Sequence, residues 1–200
     1  ALQTLRSKAK EWNIDVKKVG ATGGSAGACT SLWLALHDDM ADPKSSDPVA
    51  QQSTKLQCAA VSGAQTSLDP KELREWMPNA IYGGHAFGFA GKDDSGKVRG
   101  RAGEVDLLMA NREKVMPWIK EYSPIELVDK NDPPLFLEFN ADPAPLGTDQ
   151  KDPTHSALYG VKLAERMAPT GVECIVSYPS QKNEKYGTVS KFLIAKLTAK

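Results

Sequence analysis

The serine at position 25 lies within a run of small residues, Gly23-Gly24-Ser25-Ala26-Gly27. A serine hydroxyl becomes a nucleophile when a base takes its proton and amide N–H groups face the oxyanion that forms on attack. The G-x-S-x-G spacing suits this chemistry, because small flanking residues let a strand and a helix cross closely at a strained turn that carries the serine. We predict that Ser25 is a nucleophile and that the backbone amide of Ala26 is one oxyanion donor.

The segments on either side of Ser25 have the patterns that such a turn requires. Residues 16–22 (VKKVGAT) predict a short strand that runs into the glycines, and residues 26–37 resume helical spacing. Upstream, apolar residues on one face of residues 2–13 predict an amphipathic helix. The first unit of the chain is therefore helix, strand, sharp turn and helix, with Ser25 at the turn.

The rest of the chain alternates predicted strands with predicted helices. Strands are expected at 56–62, 135–140 and 172–178, helices at 69–77, 104–120, 155–167 and 189–197, and irregular structure at 38–53 and 81–103. This alternation favours a single α/β domain in three layers, with a parallel sheet covered by helices on both faces. The aromatic side chains of the long connection between the second and third strands either pack that connection, which we favour, or shape a pocket for the acyl or alcohol group of a substrate; they are Trp76, Tyr82, Phe87 and Phe89.

The bulk composition argues against several classes of partner. Lys and Arg number 25 and Asp and Glu number 25, so a formal net charge of zero provides no field to attract nucleic acid or an acidic membrane. No apolar run approaches the roughly 20 residues that cross a bilayer. Cys29, Cys58 and Cys174 are an odd number at wide spacing, which predicts buried free thiols and no metal site. A small neutral substrate fits this composition.

A second interpretation of the glycine turn is a nucleotide-binding loop. Residues 22–29 resemble the T-G-x-x-x-G-x-G turn of short-chain dehydrogenases, but Cys29 stands at the last glycine position. Those enzymes also carry a Tyr and a Lys four residues apart on a helix. The one such pair here is Tyr178 and Lys182, and Pro179 opposes a helix there. The hydrolytic interpretation is therefore favoured.

Four segments together resemble the α/β-hydrolase esterase and lipase family, in the branch that includes bacterial carboxylesterases and carbohydrate acetyl esterases. They are GGSAG at 23–27, SPIELV at 123–128, DPPLFLEFNADP at 132–143 and GVECIVSYP at 171–179. The resemblance implies a serine carboxylesterase that acts on a small ester through an acyl-enzyme on Ser25, with no metal or organic cofactor. It also implies that Asp142 is the catalytic acid, with Asp149 and Asp152 on the same loop as alternatives.

The histidine is where this sequence departs from the family pattern. The family places its base in the loop after the last strand, where this chain has Tyr186 before Gly187. With a pKa near 10, tyrosine is no base at neutral pH. We assign the base provisionally to His155, against three alternatives: a residue outside this chain, a sequence error at Tyr186, and a catalytically inactive binding protein. His37 is interpreted as a helix-end or packing residue, and His85 as a cleft or locally bonded residue.

The family fold also has several strands and a His-Gly-Gly oxyanion loop ahead of the nucleophile, and no such segment precedes Ala1. We therefore expect residues 1–200 to form the C-terminal part of an α/β-hydrolase domain. A parallel sheet with a bare edge would expose apolar surface. The missing N-terminal half is accordingly the expected protein partner, alongside the small-molecule ester.

Overall fold

The computed structural model describes residues 1–199. The helices are α1 Leu2–Ser7, α2 Ala9–Trp12, α3 Ala26–Leu36, α4 Pro70–Trp76, α5 Arg101–Ala110, α6 Arg112–Tyr122, α7 Leu158–Met167 and α8 Val189–Thr198. The strands are β1 Gly20–Gly24, β2 Cys58–Ser62, β3 Leu135–Glu138 and β4 Cys174–Ser177. Short 3₁₀ helices occupy Gly84–Phe87, Pro124–Leu127 and Ala168–Thr170. No helix within residues 1–199 is long and apolar enough to span a membrane.

The four strands form one parallel sheet in the order β1-β2-β3-β4. Thr22, Ala60, Phe136 and Ile175 are aligned across it, so the register is continuous from one edge to the other. Parallel strands need long crossovers, which the intervening helices supply. All four strands consequently end at the same edge of the sheet, and the predicted parallel α/β architecture is confirmed.

Alternate side chains of the inner strands enter two separate cores. Ala59 and Val61 face a large core built with α3, α4 and α7, whereas Ala60 and Phe136 face a smaller core beneath α8. This alternation follows from the two-residue period of a strand. Helices therefore cover both faces of the sheet. This burial on two sides explains why the inner strands are continuous apolar runs.

The first strand begins later than the sequence suggests. Instead of starting at Val16, β1 starts at Gly20 and includes the glycines up to Gly24. The Asp15 carboxylate accepts a hydrogen bond from the backbone N–H of Lys17, and this turn leaves Val16 39% exposed. A local turn thus overrides the β propensity of the valine.

Three predicted helices also differ from the structure. The single helix expected over residues 2–13 is divided at Lys8 into α1 and α2. The helix expected at 104–120 is interrupted at Asn111, whose side-chain amide donates to the carbonyl of Leu107 and separates α5 from α6. The helix expected from His155 begins only at Leu158. His155 therefore belongs to the preceding loop, and the carboxylate of Asp152 holds it there, as described below.

Candidate active site

Ser25 occupies the tight bend between β1 and α3. Its backbone has φ 52° and ψ −121°, a left-handed conformation that is strained for a residue with a side chain. The backbone N–H of Ser25 donates to the carbonyl of Ser62 at 3.0 Å, which fastens the bend to the end of β2. The bend predicted from the glycine pattern is thus present, with Ser25 at its apex.

The two outer glycines of the motif have different roles. A Cβ at Gly23 would lie 2.4 Å from the backbone carbonyl of Gly27 and 2.9 Å from the nitrogen of Ala28, so Gly23 allows the strand and helix to cross at this distance. A Cβ at Gly27 would meet no atom within 4 Å. Steric need therefore explains the first glycine of G-x-S-x-G in this protein and leaves the last one unexplained.

His155 lies beside the nucleophile position and bridges it to a carboxylate. Its Nε2 is 2.9 Å from Ser25 Oγ, and its Nδ1 is 2.9 Å from Asp152 Oδ2. A carboxylate can only accept a hydrogen bond, so Nδ1 carries the ring proton and donates a hydrogen bond to Asp152. The unprotonated Nε2 can then accept a hydrogen bond from the serine hydroxyl. The three side chains thus follow the same hydrogen-bonded order as the nucleophile, base and orienting acid of serine hydrolases.

A short turn holds the acid and the base together. The other carboxylate oxygen of Asp152, Oδ1, accepts from the backbone N–H groups of Thr154 at 3.1 Å and His155 at 3.2 Å. Partial burial would raise the pKa of the Asp152 carboxyl, but the hydrogen bonds and charge of His155 outweigh it and lower the pKa below its usual value. Asp152 is therefore a charged acceptor at neutral pH.

The structure differs from the sequence prediction at the acid. Asp142 does not contact His155; its carboxylate accepts from the backbone N–H of Ser180 at 2.8 Å and so joins the loops that follow β3 and β4. The resemblance placed the acid directly after β3, where it would face a base on the loop after β4. Here the candidate base, His155, lies on the loop after β3 itself, so the carboxylate that reaches it is the one three residues away, Asp152. Asp149 forms no hydrogen bond with His155.

Tyr186, which stands where the family has its histidine, packs away from the cleft. The residue is 8% exposed, and its ring meets that of Phe192 edge-on at 4.8 Å in the core beneath α8. Its hydroxyl donates to Glu173, which also pairs with Lys185 and Lys196. Tyr186 therefore has a packing role.

The cleft over Ser25 has a volume of about 700 Å³ and lies at the carboxyl edge of the sheet. Its lining combines small, amide and charged residues, including Ser62, Gly63, Asn140, Asp142, Lys151, Asp152 and Ser156. Gly63 has φ +60°, and a Cβ there would come within 3.3 Å of the His155 ring. Sequence reasoning missed Gly63, for which the only signal was its position directly after a buried strand.

The remaining candidates lie elsewhere or have local partners. The amide of Ala26 is the first of α3, a position whose N–H has no acceptor within the helix. His37 stacks on Trp33 and lies 3.2 Å from Glu121, which agrees with a packing role. The His85 ring meets that of Tyr82 edge-on, and its Nδ1 has no partner in residues 1–199. The described chain contains no cluster of three or more potential metal ligands.

The cysteines and the aromatic insertion serve packing. All three thiols are free, and burial raises the pKa of both Cys29 and Cys58 to about 11. Phe87 and Phe89 pack against the small core between α5 and α6. These groups therefore offer no second reactive centre beside Ser25.

Comparison with known proteins agrees with this architecture. The family model described as BD-FAE matches residues 1–144. No curated protein matches the sequence.

Several solved structures share the fold. An acetyl ester-xyloside bifunctional hydrolase from Caldicellulosiruptor lactoaceticus is 18% identical, with a TM-score of 0.57 over 88% of this chain and 51% of the other. A truncated carbohydrate esterase from gut microbiota is 15% identical, with a TM-score of 0.59 over 99% and 66%. Esterase 2 of Thermogutta terrifontis is 18% identical, with a TM-score of 0.55 over 89% and 50%. This chain thus spans about half to two thirds of these proteins, and at such identities the likeness shows the fold alone.

Proposed function

This chain belongs to the BD-FAE family, with an α/β-hydrolase fold, and from that premise we propose that it carries the catalytic serine of a carboxylesterase acting on a small ester. One observation carries the proposal: the unbroken hydrogen-bonded path from Ser25 Oγ through His155 to Asp152. Solved proteins of similar fold are named for acetyl-ester and carbohydrate-ester hydrolysis, which supports a short acyl group.

The proposed reaction has two balanced halves. Ser25 Oγ attacks the ester carbonyl as His155 Nε2 takes the hydroxyl proton, and the Ala26 N–H stabilises the oxyanion. The bond to the alcohol then breaks, and the alcohol leaves with the proton held by His155. In the second half a water molecule gives a proton to His155 as its oxygen attacks the acyl carbon. The bond from that carbon to Ser25 Oγ then breaks, the carboxylic acid leaves, and His155 returns the proton to Oγ. Asp152 keeps the imidazole in the required tautomer throughout, and no step uses a metal or cofactor.

The competing proposal, an inactive binding protein, depends on the absence of a base at Tyr186. The contact between Ser25 and His155 supplies a base from another loop and removes that argument. The hydrolase proposal is therefore the one that the site favours.

Covalent labelling tests the proposed nucleophile without requiring turnover. We expect a fluorophosphonate to form one adduct per chain, which peptide mapping by mass spectrometry places on Ser25. Ser25→Ala should remove the adduct, whereas Ser62→Ala, which alters another hydroxyl in the same cleft, should keep it. An adduct on a different residue, or no adduct, would contradict the proposal.

We also propose that an N-terminal half of the same protein pairs with β1. This strand is at the edge of the sheet, so one side of its backbone lacks a neighbouring strand. At the site the Asp152 side chain is 59% exposed, more than is usual for the acid of a catalytic triad. A covering segment would bury this surface and supply the second oxyanion donor.

Without such a cover, the open strand edge should promote self-association of the 200-residue chain. Native mass spectrometry of that chain should accordingly show dimers or larger species. A monodisperse monomer across the micromolar range would contradict the expected partner.

A further inference from the structure

Gln65 is a fully buried glutamine whose side chain reaches the loop that carries the acid and the base. Its amide nitrogen donates to the carbonyl of Thr154 at 2.7 Å and to that of Gly63 at 3.1 Å. Thr154 directly precedes His155, and Gly63 leaves the space beside the His155 ring where a Cβ would come within 3.3 Å. Both hydrogens of one amide thus connect the end of β2 to the turn on which His155 sits.

We propose that Gln65 is a positioning residue that sets the distance between His155 and Ser25. The proposal rests on the proposed function, because it assigns Gln65 a role in the same reaction. Gln65 does not touch the reacting atoms. It acts through the backbone carbonyl of Thr154, which it holds against the strand that also fastens Ser25 through Ser62.

This anchor matters because every hydrogen bond of the Asp152 side chain stays within the turn from Asp152 to His155. Its internal hydrogen bonds fix the acid relative to the base, but they do not fix either group relative to Ser25. The serine belongs to the β1 bend, which is 130 residues away in the chain. The Gln65 amide supplies a bond from the β2 end to this turn and so joins the two halves of the site.

A second buried amide stabilises the loop in another way. The Gln150 side-chain oxygen accepts from Ala144 N at 2.9 Å and from Ser156 Oγ at 3.1 Å, and the Gln150 backbone pairs with the Asn79 side chain. These bonds shape the loop and join it to the segment after α4. Gln65 differs from Gln150 because it connects the loop to the strand ends that hold the nucleophile.

The test compares Gln65→Met with Gln57→Met. Gln57 is a matched control, since it precedes the same strand, donates its amide to the carbonyl of Lys196 at 2.9 Å and, like Gln65, has a buried oxygen with no partner among the described residues. It lies at the opposite end of β2 from Ser25. For hydrolysis of p-nitrophenyl acetate we expect Gln65→Met to lower kcat about 10- to 100-fold with little change in KM, because small misplacements of a catalytic group cost factors of this size.

The control should lose stability without losing turnover. Gln57→Met should lower the melting temperature and leave kcat at the wild-type level. If both variants lower kcat in proportion to their loss of stability, Gln65 has a structural role only and the proposal is overturned. If Gln65→Met does not fold, Gln65→Glu replaces it. The glutamate side chain has the same shape, but its carboxylate cannot donate to the carbonyls of Gly63 and Thr154. Unchanged kcat in that variant also overturns the proposal.

A second measurement separates failure of this inference from failure of the proposed function. Nitrogen NMR of the His155 imidazole reports the hydrogen bonding of each ring nitrogen even when no ester is hydrolysed. In the wild-type chain Nε2 should show the shift of a nitrogen that accepts a hydrogen bond from Ser25, and in Gln65→Met that shift should move toward its value in Ser25→Ala, while Nδ1 keeps the proton that it shares with Asp152. A wild-type spectrum in Gln65→Met overturns the role of Gln65, whereas an inactive wild type with the expected spectra refutes the esterase proposal and leaves the positioning role supported.

Discussion

His155→Ala is expected to lower the kcat for hydrolysis of a short p-nitrophenyl ester by about 1,000-fold or more, and Ser25→Ala should do the same. The physical reason is that the serine hydroxyl is a poor nucleophile until Nε2 of His155, 2.9 Å away, accepts its proton. The two residues act as one unit, so the double variant should be no slower than either single variant. Initial rates of p-nitrophenol release provide the measurement.

His37→Ala is the matched control for this prediction. His37 is hydrogen-bonded to the backbone carbonyl of Asp38 and stacks on Trp33, away from the cleft, so its loss should leave kcat unchanged. Wild-type activity in His155→Ala would show that the base lies elsewhere, and the assignment of His155 would then be abandoned. Activity that survives in Ser25→Ala would refute the acyl-enzyme itself.

Asp152→Asn should lower kcat by about 100- to 1,000-fold, while Asp142→Asn should change it little. A carboxylate that orients the histidine can be worth about 10⁴ in kcat when it is buried. Asp152 is 59% exposed, so water can replace part of its effect and the expected loss is smaller. Asp142 is the matched control, because it lines the same cleft but bonds to Ser180.

The comparison distinguishes two assignments of the acid within one loop. A large loss in Asp142→Asn together with a small loss in Asp152→Asn would restore the acid position that the family resemblance implied. The loss in Asp152→Asn should appear mainly in kcat, because the tautomer of His155 affects proton transfer more than substrate binding. Steady-state kinetics at several ester concentrations would separate kcat from KM.

Local sequence patterns were sufficient for most of the fold. Strand and helix periods extend over a few residues, so they indicate the succession of the four strands and the main helices along the chain. Boundaries were less predictable where a side chain bonds to nearby backbone. The late start of β1 after the Asp15 turn and the break at Asn111 are two such cases, since these bonds compete with the periodic pattern.

The sequence by itself determined the sharp bend that carries Ser25, because the strand, the bend and the helix lie within about twenty consecutive residues and their geometry is local. Its choice of His155 as the candidate base followed from the absence of any later histidine. Only the tertiary structure decided which carboxylate meets the imidazole, because Asp142, Asp149 and Asp152 share one loop at one sheet edge and sequence spacing does not encode that choice. That choice depends on how the loop turns between Asp152 and His155, and on the buried Gln65 amide that holds the turn against β2.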